Sequence, residues 1–267
     1  MIVSLREDAD PQAVKRELAS LGLWVASMER GVGSGGIQFV VAAHSTGVDP
    51  SAVAQIQGVG SVSVPIPEHP RIDNQGPQVL VAGHAIGGNH PTLMCGPCSV
   101  ESPEQIDAIA ARLAPLGVTF LRGGAFKPRS SPYNFQGHGD PALSWMRDAA
   151  TKYGLRVVTE VLSEHDVTAV AELADLIQIG SRNMQNFALL KRVGHVGKPV
   201  LLKRAMSATI DEWLLAAEYL LHHGSSGVVL CERGIRGFDP STRNLVDLTA
   251  VALLANVHRL PVIVDPS

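Results

Sequence analysis

The first 66 residues alternate short apolar runs with one amphipathic period at a time. Residues 1–5 predict a strand, and Asp10-Pro11 opens a helix through Leu21, with proline at the tolerated first turn and Gly22 as the stop. Leu23-Trp24-Val25 and residues 37–41 predict strands around a glycine-rich turn, residues 31–36. Residues 50–57 read as a second helix and residues 61–64 as a last strand. The order β-α-β-β-α-β predicts a ferredoxin-like α+β domain over residues 1–66. The proline- and glycine-bearing stretch 65–77 reads as a linker and residues 79–86 as a hairpin, so residues 67–91 join this domain to the next.

From residue 92 the rhythm changes. Apolar runs at 92–95, 118–121, 155–159, 176–179, 199–202, 227–230 and 261–264 alternate with helical patterns at 103–114, 141–153, 164–173, 210–222 and 245–257. Runs apolar on both faces, with helices between them, describe a parallel sheet covered on both sides. The succession fits an α/β fold of the (β/α)8 type, a TIM barrel missing its last unit, over residues 92–267. No G-x-G-x-x-G follows the first strand, which weakens a dinucleotide-binding alternative.

Composition narrows the function classes. The chain is 45% hydrophobic and 18% charged, ordinary for a globular protein with a sizeable core. Its net charge of -3 gives no overall basic field, so nucleic acid is not the default partner, and an anion site has to come from local clustering. No run approaches the ~18 apolar residues of a membrane helix. The N-terminus, MIVSLREDAD, lacks the apolar core of a signal peptide. The three cysteines, an odd number, suggest no disulfide framework, and a cytoplasmic location is expected.

Two of those cysteines form Cys95-Gly96-Pro97-Cys98, the spacing of a redox dithiol. In such a site the first cysteine sits at a helix N-terminus. Here Cys95 ends a strand, and the helix signal comes only at Ser102-Pro103-Glu104-Gln105, with Ser102 as N-cap and Gln105 as its reciprocal partner. Cys98 therefore falls in a loop at the barrel mouth. Cys95 and Cys231 read as inert buried thiols, and Cys98 as the better candidate ligand.

The C-terminal strand ends of a parallel barrel share one face, where active sites form. Reading only those ends collects Arg122-Gly123-Gly124 through Lys127, Arg129 and Ser130; then Glu160; then Ser181 and Arg182; then Lys203-Arg204; then Glu232-Arg233; and Asp265. Lys and Arg are 22 of 267 residues, so one basic residue means little, whereas several successive ends converging on one face do. A basic mouth in a mildly acidic protein predicts a small, multiply anionic substrate, with Arg for flat bidentate recognition and Lys as a point charge. Gly123 and Gly124 would let the backbone approach a ligand. His84, His90, His138, His165, His195, His222, His223 and His258 match no ligand spacing; His138, in the loop after K-P-R-S, is a lesser candidate for approaching the substrate.

GPCSVE, RGGAFKPRSSPYNFQG, VVTE, IQIGSRNMQNF, PVLLKR, CERGIRGF and PVIVDPS together resemble the 3-deoxy-D-arabino-heptulosonate-7-phosphate (DAHP) synthases, in the branch with an N-terminal ferredoxin-like domain. The sister 3-deoxy-octulosonate-8-phosphate synthases typically carry Asn in place of Pro128. The resemblance implies condensation of phosphoenolpyruvate with erythrose 4-phosphate, the first step of the shikimate pathway. It places Arg122, Lys127, Arg182, Lys203 and Arg233 on phosphoenolpyruvate, with Ser181 beside them, Arg129 and Ser130 on the aldose phosphate, and Glu160 near the reacting carbons. Lys127, Glu160 and Lys203 are then the catalytic candidates. It also implies a divalent metal (Mn, Fe, Zn or Co) with Cys98 as one ligand, acting as a Lewis acid on the aldehyde. Feedback control by an aromatic amino acid at the N-terminal domain and a homo-oligomer, a tetramer, complete the implied picture.

The sequence departs from that pattern at its end. The family's metal-binding histidine follows D-P-S, and its remaining Glu and Asp ligands come later, whereas this chain closes on Asp265-Pro266-Ser267. The expectation is a C-terminally truncated synthase: inactive, because one thiolate does not retain a catalytic divalent ion, and insoluble as written, because strands one and seven would expose unpaired edges. A natural, non-catalytic ligand-binding or regulatory form is the alternative.

Overall fold

The computed structural model describes residues 1–30, 36–42, 45, 47–65 and 68–266. The predicted glycine-rich turn, Gly36 apart, lies outside them. The chain divides into two compact units, Met1–Pro67 and Glu68–Ser267.

In the first unit the elements follow in the order β1 (Ile2–Leu5), α1 (Pro11–Ser20), β2 (Val25–Arg30), β3 (Ile37–Val41), α2 (Pro50–Ala54) and β4 (Val59–Ser63). The sheet is antiparallel in the order β2-β3-β1-β4, the ferredoxin-like arrangement. Asp10 caps α1 by accepting from the Gln12 amide. The helix closes on a Schellman motif: Gly22, at φ +77°, donates to Ala19 O and Leu23 donates to Leu18 O. Leu23 is therefore the buried apolar residue that seals a helix end, and the strand begins at Val25, two residues later than its apolar run implies. Val3, Leu18, Phe39 and Val53 make the core between sheet and helices.

The second unit begins with a segment that reads as linker but is structured. Helix α3 (Pro70–Asp73) buries Ile72 in the main core, and Glu218 accepts from the amides of Arg71 and Ile72, each at 2.9 Å. Gln75 exchanges two hydrogen bonds with the backbone of Val228. One apolar residue and one carboxamide, too little to show as a pattern, dock this segment. The hairpin β5 (Gln78–Val81) and β6 (His84–Gly87) turns through Ala82 and Gly83, both at positive φ as a two-residue turn requires. Its Val79, Val81 and Ile86 pack on Phe120, Val158, Leu201 and Val229, sealing the floor of the barrel interior.

Seven parallel strands follow in chain order: β7 (Met94–Cys95), β8 (Phe120–Gly123), β9 (Arg156–Val161), β10 (Leu176–Ile179), β11 (Val200–Lys203), β12 (Val228–Glu232) and β13 (Val262–Val264). Between them lie α4 (Pro103–Leu113), α5 (Asp140–Tyr153), α6 (Val167–Leu173), α7 (Phe187–Gly194), α8 (Ile210–His222) and α9 (Leu248–Asn256). Residues from β7 and β13, the two edges of the sheet, line one cavity, so the sheet curls as a barrel wall does. Helix α7 was not among the expected helices; Leu189, Leu190 and Val193 bury its inner face. At α4 the cap is as read, Ser102 accepting from Gln105, but the Gln105 side chain returns to the amide of Glu101, one residue before the cap.

Candidate active site

Strand alternation divides the interior into a dry floor and a polar top. Phe120, Val158, Leu201 and Val229 point inward at the lower level, and two residues further along their strands come Arg122, Glu160, Lys203 and Cys231. Loops after the strands add Cys98, Lys127, Arg129, Ser181, Arg182 and Arg233. Together they line a cavity of about 720 Å³ at the C-terminal strand ends. Ser130 is exposed beside it and is not among the lining residues.

The charge of this cavity opposes that of the chain. Seven cationic side chains, counting Arg243, face it against two carboxylates, Glu160 and Asp265, while the whole protein carries -3. Two of the cations are buried: Lys127 is 6% exposed and Lys203 8%. Each is held by a named partner. The Lys127 ammonium donates to the Cys98 carbonyl at 2.6 Å and lies 3.3 Å from the Cys98 sulfur. Lys203 pairs with Asp265 at 2.5 Å. Arg122 donates to Pro97 O, and Arg129 to Phe135 O.

Burial pushes the Glu160 carboxyl above its ordinary value, against the pull of Lys127, Lys203, Arg122 and Arg182. One oxygen accepts from Gln178 at 3.1 Å, and a side chain at Gly180 would overlap the other. Burial also raises the Cys98 thiol, but the Lys127 hydrogen bond and the charges of Lys127, Arg122 and Arg129 outweigh it, leaving the thiol below its usual range. Cys231, buried against the wall, is pushed up to about 12, chiefly by desolvation. Cys95 departs from the buried thiol expected: it lines the cavity half-exposed, because β7 is an edge strand with a neighbour on one side only.

Three further expectations change. Arg204 and Glu232, read at the strand ends with Lys203 and Arg233, face the other way and pair behind the wall. A Cβ at Gly123 would meet Val100 and Met146, and one at Gly124 the Cys98 carbonyl and Lys127, so these glycines let the chain approach itself and not a ligand. His138 is held by the Glu101 carbonyl at 3.1 Å and packs on Phe135 and Trp145, outside the cavity lining.

Gln178 and Arg243 join the site without having been singled out. Gln178 is a polar residue inside the apolar run of β10, a signal the sequence did carry. Arg243 lies far from any strand end, and a folded-back segment returns it. Among the described residues no group of three His, Cys, Asp or Glu side chains would hold a metal ion. The Cys98 sulfur lies 3.3 Å from the Lys127 ammonium, and without such a group of three the described residues do not assemble the divalent site that the resemblance implies.

Residues 68–267 match the family model described as the DAHP synthetase I family. A phospho-2-dehydro-3-deoxyheptonate aldolase of Thermotoga maritima is 53% identical over 182 residues, covering 68% of this chain, which spans 54% of that relative's length. A 2-dehydro-3-deoxyphosphooctonate aldolase of Acidithiobacillus ferrooxidans is 31% identical over 198 residues, covering 69% of this chain and 68% of its own. A crystal structure of the Thermotoga maritima DAHP synthase superimposes with a TM-score of 0.70 at 39% identity, over 100% of this chain and 78% of that one. A truncated form of the Thermotoga maritima synthase gives 0.66 at 46% identity, covering 72% of this chain and 70% of the other. Seven parallel strands curled about a cationic mouth, and a family match over the whole of that unit, mean that the chain belongs to the DAHP synthetase I family.

Proposed function

We propose that the cavity binds phosphoenolpyruvate and D-erythrose 4-phosphate and serves their condensation with water to DAHP and phosphate, the entry step of the shikimate pathway. The observation that carries this reading is the concentration of seven cations in one mouth of a net-acidic chain. Arg122, Lys127, Arg182, Lys203 and Arg233 would hold the phosphate and carboxylate of phosphoenolpyruvate, with Ser181 beside Arg182. Arg129 would take the aldose phosphate, with exposed Ser130 next to it. Glu160, Lys127 and Lys203, which line the same cavity, would act on the reacting carbons. In the condensation, C3 of phosphoenolpyruvate bonds to the aldehyde carbon as the C=O π bond opens to a hydroxyl; water adds at C2, its protons going to that oxygen and to the departing phosphate, and the C2–O bond to phosphate breaks to leave the C2 ketone. Two substrates that repel each other are brought together by fixed opposite charge, so positioning and preorganised electrostatics supply most of the rate.

DAHP synthases are generally metal-dependent. Cys98 is the sulfur this chain would offer a divalent ion such as Mn, Fe, Zn or Co. The unit Met1–Pro67 would take an aromatic amino acid as effector, and the assembly would be a homo-oligomer, a tetramer, in the cytoplasm. Among the described residues no helix is long and apolar enough to cross a membrane.

Calorimetric titration with phosphoenolpyruvate, then with erythrose 4-phosphate against arabinose 5-phosphate, tests the assignment. Binding of the first two with rejection of the pentose is expected; a chain that prefers arabinose 5-phosphate would be an octulosonate synthase, and one that ignores phosphoenolpyruvate would sink the reading. In an active enzyme, Arg182→Ala or Lys203→Ala lowers turnover by about 100-fold, the scale of one lost electrostatic contact.

A further inference from the structure

On the outer side of the cavity wall lies a charge cluster, buried at Arg204 and Glu232 and half-buried at Asp247, that the binding residues do not include. Arg204 follows Lys203 and points the opposite way, only 6% exposed. Its Nη1 lies 3.1 Å from Glu232 Oε2 and 3.0 Å from Asp247 Oδ2, and its Nε donates to Ala208 O at 3.0 Å. The guanidinium carbon stands 5.8 Å from the ring of Trp213. Glu232 is fully buried, and its second oxygen accepts from the Gly234 amide at 2.7 Å. Asp247 uses its second oxygen to cap α9 through the Ala250 amide at 3.0 Å.

One guanidinium thus ties both ends of the segment between β12 and α9. Within that segment Ile235 and Leu245 exchange backbone hydrogen bonds of 2.8 and 2.9 Å, and Arg236 donates to Met206 O at 2.7 Å. The segment is an arm folded back over the mouth. It carries Arg233 on its outgoing limb and Arg243 on its returning limb, and both line the cavity. Gly234, at φ +100°, permits the fold, since a Cβ there would meet the Asn244 side chain. Buried ion clusters are weak sources of stability compared with apolar packing, so their use lies in geometry.

We propose that the Arg204–Glu232–Asp247 triad is a positioning device that pins this arm at both ends, so that Arg233 and Arg243 face the bound anion. None of the three touches the cavity, and the proposal leans on the phosphoenolpyruvate reading only for its probe.

Asp247→Asn keeps a capping oxygen for α9 but removes the carboxylate from Arg204. Glu232→Gln keeps an acceptor for Gly234 and removes the buried charge. Hydrogen exchange at the Ile235 and Leu245 amides is read together with calorimetric phosphoenolpyruvate affinity, with Arg243→Ala as reference. In Asp247→Asn the two arm amides should exchange about tenfold faster while those of Leu201 and Val229 stay unchanged, and affinity should fall by about tenfold, the effect of losing one charge-assisted contact. The double variant Asp247→Asn/Arg243→Ala should lose less than the product of the two. Unchanged arm exchange in Asp247→Asn overturns the proposal, whether or not Glu232→Gln folds. If the wild type ignores phosphoenolpyruvate, the binding assignment fails while the exchange result still decides the triad.

Discussion

Glu160 shows how burial beside a cavity ties one residue's charge to stability. Burial outweighs the four cations around it and raises its pKa above the ordinary 4.5. Between that value and the raised one, the folded state holds a proton that the unfolded state has released, so stability falls as pH rises through this window. Glu160→Gln removes the titrating group. Its melting temperature should match the wild type's below pH 4.5 and exceed it above the window, which parallel thermal melts across pH would show. A wild type whose stability instead rises relative to the variant as pH climbs toward 4.5 would mean that the cations, not burial, govern Glu160. The residue was readable as a carboxylate at a strand end; its depth, with Gln178 and Gly180 around it, was not.

Among elements, the loop from β7 to α4 is specified by a close backbone approach. Gly96 sits at φ +152°, and a Cβ there would overlap the Arg122 carbonyl of the neighbouring strand. Gly96→Ala would push β7 and β8 apart at the level of Arg122 and Cys98. The expected loss exceeds about 3 kcal/mol, since the clash is with backbone that cannot rotate away. Denaturant midpoints measure it, and an unperturbed midpoint would contradict the close approach. The same crowding answers what the C-G-P-C spacing is for: the glycine lets two strands meet, and Cys98 hangs in the loop beside Lys127. The start of α4 was legible from its Ser102 cap, whereas the capping box of Thr209 with Glu212 that starts α8 was found in the structure. Helix α3 was not legible, because four residues beginning with proline carry no period.

At the scale of the molecule, charge segregation is the property to test. An acidic chain with a cationic mouth should bind phosphoenolpyruvate more weakly as salt rises. At ligand near 100 times Kd the unit should gain about 2.7 kcal/mol of stability, seen as a higher Tm that shrinks with added chloride. A salt-independent shift would place the ligand elsewhere.

The sequence by itself determined the class of fold, the order of strands, and which βα segments carry cations, because helix and strand periods and strand-end chemistry are local. Only the tertiary structure decided which member of Lys203-Arg204 and of Glu232-Arg233 faces the cavity. A buried parallel strand is apolar on both faces, so its pattern does not state its phase. The fold alone also brought Arg243 back to the mouth, turned an apparent linker into a docked helix, and gave the glycines to backbone packing. Each of these depends on contacts between residues far apart in the chain, which no local period encodes.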